Sequence, residues 1–185
     1  MRTSLRLAVR GAAAAVLAAA LLIPAVIRPA PAAASDGPTD TSFTVDAGTL
    51  TLATPDSADL GTVTIGTAAV SGQLGAITVT DDRGLASGAW TASVSSTSFT
   101  TGAGTPAETI PAANASYAAG GATATSGTGT FAPGAGGALN VAEPAFVATD
   151  TTGTTSATWN PTITVTLPAA VVSGTYTGTI THSVA

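Results

Sequence analysis

The sequence predicts an all-β protein built as a two-sheet antiparallel sandwich, and three observations predict it. Apolar residues alternate with threonine at period two along much of the chain. Such runs recur at intervals of roughly 8–15 residues, separated by glycine-bearing turns. Beyond residue 34, no stretch combines helical apolar spacing with capping residues.

The first element stands apart from this fold. Arg2, Arg6 and Arg10 precede an apolar run from Gly11 to Ile23, and Ala32-Ala33-Ala34 offers the small side chains of a cleavage site. A helical signal peptide over residues 1–34, cut between Ala34 and Ser35, is the expectation. A retained anchor fits less well. The run is short for a span of roughly 20 residues, Pro24 breaks it, and Arg28 follows. The expected product is secreted, with no membrane attachment after cleavage. Residues 35–40 then read as a short flexible leader, and residues 41–185 as one domain. Residues 35–185 suffice to bury roughly two-thirds of the unfolded-chain surface.

Within the domain the clearest run is Thr158–Leu167. Trp159, Ile163, Val165 and Leu167 take one face, and Thr158, Asn160, Thr162, Thr164 and Thr166 the other. That is a half-buried strand with a wet threonine face. At the C-terminus Tyr176, Gly178, Ile180, His182 and Val184 share a face in the same way. Earlier strands are expected at 42–45, 48–53, 63–66, 74–81 and 89–96, with weaker ones at 109–112, 122–125, 127–132 and 138–141. Ala47-Gly48, Pro55-Asp56, Arg83-Gly84, Ser87-Gly88 and Ser173-Gly174 supply turn chemistry between them. Thr101–Pro106 and Gly120–Gly137 read as long loops or weakly specified edge strands. The strand count and spacing suggest a Greek-key, immunoglobulin-like arrangement.

Charge excludes one class of partner. Cleavage removes four of the five basic residues, leaving Arg83 alone against ten acids and a net charge of −9. Nucleic-acid phosphates repel such a surface. The chain contains no cysteine, which removes both disulfides and a thioether-linked lipid. No Leu-Pro-x-Thr-Gly sorting segment follows the last strand, so retention at a surface is expected to be non-covalent.

Catalytic machinery is sparse. The single histidine, His182, has neither cysteine nor a second histidine to help it hold a transition metal. The acids Asp56 and Asp59, or Asp81 and Asp82, lack the aromatic platform of a sugar-cleaving cleft. Clustered carboxylates suit calcium best, but no D-x-D-x-D-G loop is present. No enzyme activity, metal or cofactor is expected. Asp81 continues the inward face of Ile77 and Val79, where an unpaired carboxylate is costly. Arg83 is expected to pair locally with an acid and pin the turn before Ser87-Gly88, giving Asp81 and Arg83 structural roles. Asn114-Ala115-Ser116 matches a glycosylation sequon, a weak signal in a chain with a bacterial-looking leader.

Two blocks resemble a known family. Gly72–Gly84 followed by Gly88-Ala89-Trp90-Thr91-Ala92-Ser93-Val94 looks like the first half of a WxL domain, and Gly174–Val184 looks like its final strand. The family is named for two Trp-x-Leu positions. Here the first is Trp90-Thr91-Ala92 and the second His182-Ser183-Val184. The resemblance implies a Gram-positive surface protein held non-covalently to the cell wall through peptidoglycan. Trp90, Trp159 and His182 are then the candidate binding residues. The alternative function is a module that binds another secreted or surface protein.

Overall fold

The structure, a computed structural model, describes residues 37–185. The expected signal peptide and its cleavage site lie outside the described residues. Residues 37–49 carry no regular secondary structure, so the strand expected at 42–45 does not form within the chain. A compact unit runs from Thr44 to Ala185. Among the described residues no helix is long and apolar enough to cross a membrane.

The fold is all-β, with antiparallel sheets and two single 3-10 turns at Pro106–Glu108 and Ala112–Asn114. Eleven strands follow in order. They are β1 (Leu50–Ala53), β2 (Ala69–Gln73), β3 (Ile77–Ser96), β4 (Phe99–Thr100), β5 (Thr109–Ile110) and β6 (Ala115–Ala118), then β7 (Ala122–Pro133), β8 (Gly137–Ala138), β9 (Glu143–Trp159), β10 (Thr162–Thr166) and β11 (Ile180–Val184). The main sheet runs β1-β3-β9-β7. β11 lies along the same flank of β3 as β1: β1 pairs with residues 78–81 and β11 with residues 92–96. The second sheet runs β2-β10-β6-β8, and β4 with β5 forms a small hairpin.

Alternation explains the core. β3 sends Ile77, Val79, Trp90, Ala92 and Val94 inward, and β9 sends Phe146, Ala148, Ala157 and Trp159. Ala115, Tyr117, Ile163 and Val165 of the second sheet close over them in one cluster. The opposite face of β3 and β9 carries hydroxyls that pair across strands, such as Thr78 with Thr158 at 2.9 Å.

Three expectations need correction. Thr158–Leu167 is two strands, because Pro161 has no N–H to give a ladder and the chain changes sheets there. The inward face continues across the break, as Trp159, Pro161, Ile163 and Val165 are all buried. Arg83-Gly84 and Ser87-Gly88 do not end a strand. They are irregularities inside β3, whose register against β9 shifts between Asp81 and Trp90. No strand forms at 63–66, whereas β2, β6 and the central β9 arise where none was expected.

Candidate functional site

An aromatic series crosses the core and ends at a surface cleft. Phe131 packs on Trp90 at 6.5 Å between ring centroids, and Trp90 stacks on Phe146 at 6.4 Å. Phe146 stacks on Trp159 at 4.7 Å. Trp159 Nε1–H donates to the Tyr117 hydroxyl at 2.8 Å, and that hydroxyl lies 3.3 Å from His182 Nε2. The Tyr117 and His182 rings meet at 5.6 Å.

This series and its burial set the surroundings of His182. An indole N–H only donates, so the tyrosine oxygen accepts from Trp159, and the same hydroxyl shares a second hydrogen bond with His182 Nε2. Where the hydroxyl donates, the imidazole carries its proton on Nδ1. Burial pushes the His182 pKa down to about 4 and the Tyr117 pKa up to about 12. At neutral pH both are uncharged.

His182 lines a half-open cleft of about 220 Å³. The loop after β1 forms one wall, with Thr54, Asp56, Ser57 and Leu60; Gly178, Thr179 and Ile180 form another, and Leu74 and Phe99 supply apolar surface with the buried Ile77 behind them. Gly178 is needed here, because a Cβ at that position would come within 2.8 Å of the Phe99 ring. Asp59 shapes the loop by accepting from Gly61 N–H at 2.8 Å. The cleft is lined by one carboxylate, Asp56, and by no cationic side chain. His182 bonds to Tyr117 and makes no hydrogen bond to Asp56 or Ser57.

The tryptophans hold different positions from those expected of binding residues. Trp90 is 2% exposed and Trp159 0%. Rings so buried cannot stack on a ligand, so both act as core. Of the three candidates only His182 borders open space. The two Trp-x-Leu-like positions nevertheless meet: Val184 is paired with Ala92, and Thr91 and Ala185 exchange backbone hydrogen bonds of 2.9 and 3.1 Å.

Asp81 and Arg83 form a second built feature, in the irregular part of β3. Asp81 is 2% exposed. Its oxygens accept Arg83 Nε–H and Nη2–H, each at 2.8 Å, and the Arg83 backbone N–H at 3.1 Å. Nη2 also donates to the Ala89 carbonyl at 3.0 Å, tying both ends of the irregular stretch together. The Arg83 hydrogen bond holds the Asp81 carboxyl below its ordinary range, against the opposing effect of burial. Nearby in sequence and pairing, Trp90 Nε1 and Thr155 Oγ1 are buried without partners.

Among the described residues no three His, Cys, Asp or Glu side chains gather as a metal site. Asn114 of the sequon-like triplet donates through its side chain to the Thr166 carbonyl at 3.0 Å. Sequence reasoning missed Tyr117 as the partner of His182 and the 54–60 loop as a wall. No family model, curated protein or solved structure matches the chain.

Proposed function

We propose that this chain is a non-enzymatic, exported surface protein of WxL-like type that associates non-covalently with the cell wall, holding peptidoglycan at the His182 cleft. The observation that carries the reading is the chemistry of that cleft. It combines an uncharged imidazole, hydroxyl-bearing Thr54, Ser57 and Thr179, one carboxylate, and an apolar floor at Leu74 and Phe99. N-acetylated amino sugars offer the complement: an amide carbonyl for an imidazole N–H, hydroxyls for Asp56 and the threonines, and a methyl group for the floor. Phosphate-bearing ligands fit poorly, since the described residues include one cation, Arg83, and it is bound to Asp81.

The adjacency of the two Trp-x-Leu-like positions on β3 and β11 supports the family reading. A non-catalytic role is supported by His182, whose one hydrogen bond is directed to Tyr117 and away from any nucleophile. Titration with soluble disaccharide-peptide fragments of peptidoglycan, followed through the ring resonances of the single histidine, tests the proposal. Saturable shifts that disappear in Asp56→Ala are expected. Unmoved His182 resonances at millimolar fragment would overturn it. A second reading, a module that binds another surface protein by strand addition, is favoured by the edge of β7, which is unpaired among the described residues.

A further inference from the structure

β7 is the outer strand of the main sheet, and its far side has no partner among the described residues. Natural edges of this length are usually guarded by charge. On the opposite flank β1 and β11 carry no charge within the strands, but Asp46, Asp56 and Asp59 stand close to β1 in the sequence. β7 reads Ala-Thr-Ala-Thr-Ser-Gly-Thr-Gly-Thr-Phe-Ala-Pro and carries no charge at all. In a chain of ten acids, it is an edge that adds no charge of its own to the repulsion between copies.

The same chain holds a strand-like segment that pairs with no other strand among the described residues. Ser42–Val45 alternates polar and apolar residues, yet forms no ladder among the described residues. Phe43 and Val45 are 88% and 82% exposed, the two most exposed large apolar side chains among the described residues. Leaving them in water forfeits the burial that a strand of this pattern normally obtains.

We propose that these two features are complementary between molecules: Thr41–Val45 of one copy adds as an antiparallel strand to the Thr130–Pro133 stretch of β7 in the next. This stretch suits a short donor. Between Thr130 and Pro133 the register with β9 is regular, whereas shifts interrupt β7 before it. Phe131 lies here, half-buried against Trp90, and brings the aromatic core up to the edge. Phe43 placed opposite Phe131 extends that series by one ring, and Thr44 then faces Thr130. Such a contact is head-to-tail, so it builds chains of copies rather than a closed pair. It is independent of the His182 cleft.

The chain from Ser35 onward, which contains the whole compact unit, is the material for the test. Sedimentation at rising concentration is expected to give a growing series of oligomers, and Phe43→Asp to raise the dissociation constant roughly tenfold or more. Because Phe43 is exposed, the melting temperature of the Phe43→Asp protein at low concentration should stay unchanged. The cysteine-free background allows a sharper reading. Mixing Thr44→Cys with Thr130→Cys protein under mild oxidation should give a mixed disulfide dimer, and the double variant a ladder. Monomers at every concentration would overturn the proposal. So would cross-linking only between two Thr130→Cys copies, which would mean β7 pairs with itself.

Discussion

Arg83 decides more at the residue scale than any other polar side chain here, because it satisfies a buried carboxylate and spans a distorted strand at once. Arg83→Ala leaves Asp81 enclosed without its main donors, and is expected to cost about 2–3 kcal/mol of stability in chemical denaturation. Arg83→Lys should recover only part of this, since an ammonium cannot match two carboxylate oxygens and the Ala89 carbonyl in one plane. His182 sets a different pH window. Its folded value of about 4 lies below the ordinary 6.5, so the folded state binds fewer protons than the unfolded chain. Its favourable contribution is present above pH 6.5 and is lost as the pH falls from there through 4. Melting temperature should therefore decline across that interval, and His182→Gln should flatten the decline. Asp81, with its value lowered, keeps its contribution until the pH drops below the ordinary carboxylate value of 3.8. The two windows can be separated in one melting series. Asp81 and Arg83 were legible from the inward phase of Ile77 and Val79 and from the scarcity of cations. Tyr117 was not, because its partners Trp159 and His182 stand 42 and 65 residues away in the chain.

Glycine and register govern the elements. In β3, Gly88 is paired with Thr151, and a Cβ there would sit 2.7 Å from the Thr151 hydroxyl. Gly88→Ala should destabilise by about 1–3 kcal/mol, the cost of overpacking a closed site. Thr151→Ala should remove much of that cost, and a double-mutant cycle would read the coupling directly. An additive cycle would show that the two residues do not meet. The same stretch explains why sequence and structure part company. Arg83-Gly84 and Ser87-Gly88 carry turn chemistry, but here that freedom accommodates register shifts within a strand of 20 residues. β9 escaped notice for another reason. Its inward residues include Ala145, Ala148, Thr151, Thr155 and Ala157, so the contrast between its faces is weak despite complete burial. Strands with large inward residues, such as β10 and β11, were plain from alternation alone.

At the scale of the whole molecule, the acidic charge, the buried aromatic series and the cleft at its end belong to one account. The core holds Trp90 and Trp159 without offering them to solvent, and the series delivers a neutral imidazole to the surface. That neutrality suits uncharged sugar and amide groups better than phosphates. Strand addition through β7 would repeat the cleft along a chain of copies and raise avidity for a polymer without changing any single contact. The fold class was readable from period-two patterning, whereas the cleft was not, since its walls come from segments more than 100 residues apart. The most direct test is co-sedimentation of the chain from Ser35 onward with purified peptidoglycan sacculi, beside His182→Ala and an unrelated acidic protein. Saturable retention of the chain, reduced to the level of the acidic control by His182→Ala, is the expected result. Retention of the unaltered chain no greater than that control would contradict the account.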